Sequence, residues 1–184
     1  MMVPSRGHRR SLRVPGYDYS QPGAYFVTIC THGKDALLGK VVDGTVHLSE
    51  AGQIVQACWE ELPTRYPEMV LDAFVVMPNH LHGIVVIAVE VAQSQAPAVG
   101  AIHELPLPQH VQRRRMLLPR AVGYFKMNAA KRIKQLRGTP GVPVWQRNYY
   151  ERVIRNEREL AAVREYIALN PLQWELDPEH VART

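Results

Sequence analysis

Two kinds of hydrophobic pattern alternate along the chain. Runs rich in β-branched and aromatic residues are typical of strands, whereas apolar residues that recur at intervals of three and four positions are typical of amphipathic helices. The strand pattern covers residues 23–31, 69–77, 81–89 and 149–154, and the helix pattern covers residues 49–66, 120–137 and 156–170. A short hairpin is expected at 38–48, where Asp43-Gly44 separates two apolar pieces.

The order of these elements predicts the fold class. Strand, helix, strand, strand, helix and strand follow one another, which is the split β-α-β arrangement of a ferredoxin-like α+β domain with an antiparallel sheet. The tight turn at Pro78-Asn79 makes the two middle strands antiparallel neighbours. One additional helix follows at the C-terminal end, where Asn156 and Glu159 resemble a capping box and Pro171 stops the helix.

Proline and glycine divide the chain into an arm, one domain and a loop. Residues 1–22 are interrupted by prolines and are expected to form a basic N-terminal arm. Residues 23–184 are expected to form a single domain. Within it, residues 92–118 contain several prolines among polar residues, and we expect this long segment to be a mobile loop.

The composition argues against two classes of protein. No stretch of the 184 residues approaches the roughly 20 apolar residues that span a bilayer. No apolar segment follows the basic N-terminus, so neither a membrane protein nor a secreted precursor is expected. Two cysteines are too few for a disulfide framework. We therefore expect a cytoplasmic protein.

The charge is distributed unevenly. The chain has 22 Lys and Arg against 17 Asp and Glu, a formal charge of +5. No acidic residue lies between Leu105 and Tyr150, although this stretch is rich in Lys and Arg. A solvated helix face is one interpretation, but a block of one sign beside a basic arm favours a polyanion partner, most simply nucleic acid. The residues expected to contact phosphates are Arg6, Arg9, Arg10, Arg13, Lys126, Lys131, Lys134 and Arg137.

Two histidines at the start of a middle strand are the first candidates for chemistry. His80 and His82 are separated by one residue, so their side chains project to the same side of the strand. Two imidazoles in this arrangement can bind one metal ion. From the spacing alone, a pair of ordinary surface histidines is an equally good interpretation.

The last predicted helix supplies a second pair. Tyr166 and Asn170 are four residues apart and therefore lie on one helix face. On this helix alone, a half-buried core tyrosine and an Asn helix end explain the pair better than a site does. Together with the histidines, the pair indicates an ion that is held by two imidazoles and an amide and polarises a phosphate, while the phenolate attacks the phosphorus. A mixed nitrogen and oxygen site with an open position favours Mg²⁺ or Mn²⁺.

Three ordered motifs resemble those of the REP-associated tyrosine transposases, relatives of the IS200/IS605-like transposase family. The motifs are VVMPNHLH at 75–82, VWQRNYYERVIRN at 144–156 and YIALNP at 166–171. The segments at 16–19 and 23–28 also look like the N-terminus of that family. The resemblance covers the chain from about Arg9 to Trp174.

This resemblance implies a metal-dependent single-stranded DNA endonuclease and strand transferase of the HUH type. His80, His82 and Asn170 match the metal ligands of the family, and Tyr166 matches its nucleophile. Cleavage would leave a 5′-phosphotyrosine and a free 3′-hydroxyl on hairpins that resemble repetitive extragenic palindromes. Relatives in the wider family work as dimers that exchange catalytic helices, whereas the REP-associated group can work as monomers. No residue of this sequence decides between a monomer and a homodimer.

Alternatives exist for the nucleophile and for the function. Tyr149 and Tyr150 lie in a matched motif, although neither is followed four residues later by Asn or Gln. A regulator that binds hairpin nucleic acid without turnover is the alternative function, and a metal hydrolase without a covalent intermediate is the third. Replacement of Tyr166 by Phe separates the hydrolase from the transferase.

Overall fold

The structure of the protein is a computed structural model, which describes residues 22–88 and 116–180. The strands, in chain order, are β1 (Gly23–Cys30), β2 (Gly39–Val42), β3 (Thr45–Leu48), β4 (Met69–Met77), β5 (His80–Ile87) and β6 (Tyr150–Ile154). The helices are α1 (Glu50–Glu60), α2 (Leu62–Arg65), α3 (Leu117–Arg137) and α4 (Glu157–Leu169). The predicted arm up to residue 21, with its four arginines, and the loop residues before 116 lie outside the described residues.

Four strands form an antiparallel sheet in the order β4-β5-β1-β6. Each inner strand pairs antiparallel with both of its neighbours, and the β4–β5 turn brings Met77 opposite His80. Together with the helices between β1 and β4 and between β5 and β6, this order is that of a split β-α-β domain. The predicted ferredoxin-like α+β fold is confirmed.

The hairpin of β2 and β3 is a separate two-stranded unit. Its turn residues Asp43 and Gly44 have φ angles of 50° and 70°, which is the left-handed conformation of a type I′ turn. The hairpin lies beside the β4–β5 turn, where the amide of Leu38 donates to the carbonyl of Pro78 over 2.8 Å. A Cβ on Gly52 of α1 would lie 2.0 Å from the carbonyl oxygen of Leu38, so only glycine fits this contact.

Prolines account for the two places where helix boundaries differ from the prediction. The predicted helix at 49–66 divides into α1 and α2, because Pro63 has no N–H for the helical hydrogen bond to the preceding turn. In contrast, α3 begins at Leu117, three residues before the predicted start. Pro119 lies in its first turn, where backbone N–H groups have no helical partner and proline is tolerated. The predicted loop at 92–118 therefore extends too far by two residues.

The two faces of the sheet have different partners. On one face, α1 and α3 cover β1 and β5, with Trp59 and Phe125 among the fully buried residues. On the other face, α4 packs through Val163 and Ile167 against Phe26 and its neighbours. Each strand contributes to both faces because successive side chains alternate. Among the α-helices that the structure describes, α4 is the one that packs against the second face.

Gly83 lets α1 approach the strand that carries the histidines. A Cβ on this residue would lie 2.6 Å from Cζ2 of Trp59, whose side chain is fully buried. We expect Gly83→Ala to lower the free energy of unfolding by about 1–3 kcal/mol, because the indole has no space to move. Denaturant titration checks this. Gly123→Ala is the matched control, since nothing lies within 4 Å of that position and alanine favours the helix by about 1 kcal/mol. Equal stability of the two variants would contradict the packing argument.

No helix in the described parts of the chain is both long and apolar enough to cross a membrane.

Candidate metal centre and nucleophile

The start of β5 carries the two histidines. His80 and His82 lie on the same side of the strand, with ring centroids 4.3 Å apart. Their exposed fractions are only 0% and 3%. Across the sheet, His80 pairs with Cys30 and His82 pairs with Thr28. The alternation of side chains along β5 thus brings both imidazoles into one buried group at the β4–β5 turn.

Asn79 fixes the orientation of the first imidazole. Its amide nitrogen donates to the carbonyls of Glu179 at 2.8 Å and Lys34 at 3.3 Å. Its oxygen therefore faces Nδ1 of His80, at 2.8 Å, and accepts the proton on that nitrogen. The Nε2 atom of His80 carries the lone pair, is buried and has no hydrogen-bond partner among the described residues. Burial, reinforced by neighbouring His82, lowers the pKa of His80 to about 3.

The second imidazole lies between β1 and α4. Nδ1 of His82 is 2.9 Å from the hydroxyl of Thr28, and the ring of Phe26 stacks on the imidazole at a centroid distance of 5.2 Å. Nε2 lies 3.2 Å from the hydroxyl of Tyr166. The ring of His82 is therefore held between Thr28 of β1 and Tyr166 of α4.

The helical spacing of α4 brings a phenol and an amide to the histidines. The helix begins where Asn156 accepts a hydrogen bond from the amide of Glu159 over 2.9 Å. One turn separates Tyr166 from Asn170 at the other end, so both side chains face the same group. Asn170 is almost fully buried, and its Oδ1 has no hydrogen-bond partner within the described ranges.

Asp177 joins the site from the segment after α4. Its Oδ2 accepts hydrogen bonds from the hydroxyl of Tyr166, at 3.1 Å, and from the amide nitrogen of Asn170. The same atom lies 3.7 Å from Nε2 of His82, and the carboxylate side chain is fully buried. Burial raises the pKa of Asp177, but its interactions with His82, with the amide of Asn170 and with the backbone N–H of Glu179 outweigh burial and hold the pKa below its ordinary value.

The donor set fits a divalent cation. Ligand atoms of His80, His82 and Asp177 all lie within 4.8 Å of one another. Two further atoms also indicate a cation. Nε2 of His80 and Oδ1 of Asn170 are buried acceptors without a hydrogen bond from any described residue. Buried polar atoms normally have a partner, and a cation is a partner that would suit an acceptor of either kind. Burial and the charge of Asp177 raise the pKa of Tyr166 above its ordinary value, so the phenol is protonated in the metal-free site.

Comparison with known proteins adds a family relationship and a fold. No family model matches the chain. An uncharacterised protein of Haemophilus influenzae is 36% identical over 174 residues, which cover 95% of this chain and 94% of that protein. The two proteins belong to one family. A solved REP-associated tyrosine transposase, bound to a REP hairpin, has a TM-score of 0.58 and 16% identity, and the match covers 88% of this chain and 73% of that one. The chain has the tyrosine-transposase fold.

A second solved structure, a transposase candidate from Deinococcus radiodurans R1, is 17% identical with a TM-score of 0.46, over 85% of this chain and 95% of that one. The expected resemblance to the REP-associated tyrosine transposases is confirmed in the fold by the first structure.

The alternative tyrosines occupy different places in this transposase fold. Tyr149 packs with the core under α1 and α3, on the face opposite to the histidines. Tyr150 lies on the same face as the site, where its ring contacts Phe26 edge-on at a centroid distance of 6.3 Å. Of these tyrosines, Tyr166 has a hydroxyl within hydrogen-bonding distance of a site histidine.

The basic helix α3 is remote from the nucleophile. It packs on the face of the sheet opposite to α4, so its cations belong to a different layer from Tyr166. Lys131 and Arg137 are exposed and Lys134 is half-buried. The neighbouring Arg132 forms a bidentate ion pair with Glu61, at 3.0 and 2.9 Å.

Lys126 differs from the other cations of α3. Its ammonium donates to the carbonyls of Gln146, Arg147 and Asn148, at 2.7, 3.1 and 3.4 Å. Its own carbonyl accepts from the indole of Trp145 over 3.0 Å. Burial lowers the pKa of Lys126 to about 8. This lysine therefore holds the loop before β6 in place.

Lys126→Met is expected to lower the free energy of unfolding by about 1–3 kcal/mol, because three carbonyls lose their shared donor. Lys131→Met, at an exposed position, should change it by less than about 0.5 kcal/mol. Lys131→Met should have its effect on DNA binding. If the basic helix contacts DNA, the substitution should lower the slope of log affinity against log salt concentration by about one for hairpin binding. Denaturant and salt titrations measure both effects, and a neutral Lys126→Met would contradict the structural role.

Proposed function

We propose that the protein is a metal-dependent single-stranded DNA endonuclease and strand transferase that acts on hairpin DNA. The single observation that carries the proposal is the position of the Tyr166 hydroxyl, 3.2 Å from Nε2 of His82. A potential nucleophile thus lies beside a buried group that could hold a metal ion. Positioned nucleophiles with a neighbouring cation are typical of phosphoryl-transfer sites.

His80, His82 and Asn170 are proposed as ligands of Mg²⁺ or Mn²⁺. Nε2 of His80 and Oδ1 of Asn170 are suitable atoms, since both are buried acceptors with no hydrogen-bond partner in the described chain. When bound, the ion supplies positive charge that polarises the phosphate and favours the phenolate. The hydrogen bond from Asn79 keeps the His80 ring in the tautomer that has its lone pair on Nε2.

In the proposed reaction, the oxygen of Tyr166 forms a bond to phosphorus and the bond to the 3′-oxygen breaks. The products are a 5′-phosphotyrosine and a 3′-hydroxyl. The phenol loses its proton to the carboxylate of Asp177, which already accepts its hydrogen bond, because Nε2 of His82 would be occupied by the ion. The leaving 3′-oxygen takes up one proton from water. Rejoining follows the reverse path when another 3′-hydroxyl attacks the phosphotyrosine.

The proposed substrate is a DNA hairpin with a single-stranded foot. The solved transposase of the same fold is bound to a REP hairpin, and a formal charge of +5 favours a polyanion partner for this chain. Phosphate contacts are proposed for Lys131, Lys134 and Arg137 and for the arginines of the arm. Because α3 and α4 lie on opposite faces of the sheet, DNA that contacts both must pass around an edge of the sheet.

Hairpins labelled at the 5′ or the 3′ end test this function. The protein is incubated with each hairpin in Mn²⁺, Mg²⁺ or chelator, and the products are separated under denaturing conditions. We expect metal-dependent cleavage in which the fragment downstream of the break stays attached to the protein through its 5′-phosphate and carries the 3′ label, whereas the upstream fragment ends in a free 3′-hydroxyl. Cleavage without an adduct would support the hydrolase instead, and tight binding without cleavage would support the binding-only regulator.

A further inference from the structure

The carboxylate of Asp177 occupies the place of a metal ligand. Two atoms that bind one ion at about 2.0–2.4 Å are at most ~4.8 Å apart. Asp177 meets this limit with both His80 and His82. Hard divalent cations prefer carboxylate oxygens to amide oxygens. The set of two imidazoles and one amide has no negative charge, whereas Asp177 adds one.

The balance of charge around Asp177 also favours a cation. The side chain is fully buried, and hydrogen-bond donors to it are the phenol of Tyr166, the amide of Asn170 and the backbone N–H of Glu179. These three donors are neutral, and the imidazole of His82 lies 3.7 Å from the same carboxylate. A buried carboxylate normally has a positive partner. The ammonium of Lys34 pairs with Glu179, two residues after Asp177, at 2.9 Å.

The segment that carries Asp177 is anchored to the same turn as His80. Asn79 donates to the carbonyl of Glu179 over 2.8 Å while it accepts from His80. The ammonium of Lys34 also donates to the carbonyl of Pro178 over 3.2 Å. One asparagine thus positions the histidine ligand and the backbone that follows Asp177. These contacts hold the carboxylate of Asp177 in the site.

We infer that Asp177 is a metal ligand, and that the ion is held by His80, His82 and this carboxylate with Asn170 beside them. The assignment rests on the proposed metal-dependent function but concerns affinity for the ion. With one carboxylate and one phosphodiester, the two positive charges of Mn²⁺ or Mg²⁺ are balanced in the substrate complex. Before DNA binds, Asp177 supplies the negative charge of this donor set.

Binding of Mn²⁺ to the full chain, measured by the loss of the free-ion electron paramagnetic resonance signal, tests the assignment. Asp177→Asn keeps the size of the side chain and removes its charge, and we expect it to raise the Kd for Mn²⁺ by about 10- to 100-fold or more. Asp177→Glu should recover part of the affinity. Glu175→Gln is the matched control, because it removes an exposed carboxylate from the same segment, and its Kd should stay within about twofold of the wild-type value.

The outcomes separate this assignment from the proposed function. Unchanged or tighter Mn²⁺ binding by Asp177→Asn would overturn the assignment, and so would faster cleavage, since the carboxylate would then be blocking the site. Should Asp177→Asn fail to fold in chelator, Asp177→Ser replaces it with the same expectation. A wild-type protein that binds Mn²⁺ through Asp177 but never forms a DNA adduct would defeat the proposed function and leave the ligand assignment standing.

Discussion

Tyr166→Phe is expected to abolish the covalent DNA adduct and to lower the rate of hairpin cleavage by about 10³-fold or more, because the attacking oxygen is lost. The ring remains in place against Phe26, at a centroid distance of 6.1 Å. Loss of the two hydrogen bonds made by the hydroxyl should therefore cost only about 1–2 kcal/mol of stability. Single-turnover cleavage of an end-labelled hairpin gives the rate.

Tyr150→Phe is the matched control for that experiment. Tyr150 lies on the same face of the sheet and contacts the same Phe26 ring, at 6.3 Å. Its replacement should leave cleavage within about threefold of the wild-type rate, as expected for a residue outside the reaction. If Tyr150→Phe lost the adduct and Tyr166→Phe kept it, the nucleophile would be the residue that sequence reasoning ranked second.

Asn79→Ala is expected to weaken Mn²⁺ binding by about 10- to 100-fold, although Asn79 itself does not bind the ion. The substitution removes the acceptor that fixes the proton on Nδ1 of His80. It also removes both donors to the segments at Lys34 and Glu179. The free energy of unfolding should fall by about 1–3 kcal/mol, since buried partners are left unsatisfied. Titration with Mn²⁺ and denaturant measures the two effects.

Asn148→Ala provides the comparison, because Asn148 is exposed and lies in the loop before β6. We expect it to change neither property beyond about 0.5 kcal/mol or twofold. Asn79→Asp should be intermediate, since its carboxylate still accepts from His80 but cannot donate to the two carbonyls. Wild-type affinity for Mn²⁺ in Asn79→Ala would show that the His80 tautomer does not depend on this contact.

Hydrophobic periodicity predicted the elements well because each packs one regular face against the core. The strand at 69–77 has the predicted bounds, and α4 begins after the predicted cap at Asn156. The differences concern proline, whose effect depends on its place in a helix. Pro63 divides one predicted helix, whereas Pro119 is accommodated in a first turn. Sequence alone does not show which of these roles a proline takes.

The spacing of residues predicted the side-chain directions of those site residues that belong to a regular strand or helix. Strand alternation places His80 beside His82, and helical spacing places Tyr166 and Asn170 on one face. Asp177 was missed because it follows a short 3₁₀ turn at Trp174–Leu176, where no periodic pattern indicates which side chain turns inward. Asp177 lies seven residues after Asn170. In irregular backbone, such a spacing does not indicate which side chains lie close together.

The hydrogen-bond partners of the histidines could not be predicted from residue spacing either. Thr28 meets His82 only through the pairing of β1 with β5, which joins residues 54 positions apart. Lys126 was predicted to contact DNA because its charge belongs to a block of one sign. In the structure, the ammonium of Lys126 donates to three backbone carbonyls. Charge in a sequence identifies a cation but not the groups that surround it.

The most direct test of the central claim is to locate the DNA on the protein. After reaction with a hairpin in Mn²⁺, the adduct is digested with nuclease and trypsin, and the modified peptide is sequenced by mass spectrometry. We expect a nucleotide phosphate on Tyr166, within the tryptic peptide at 165–183. A phosphate on Tyr149 or Tyr150, or complete cleavage with every tyrosine unmodified, would contradict the assignment of Tyr166 as the nucleophile.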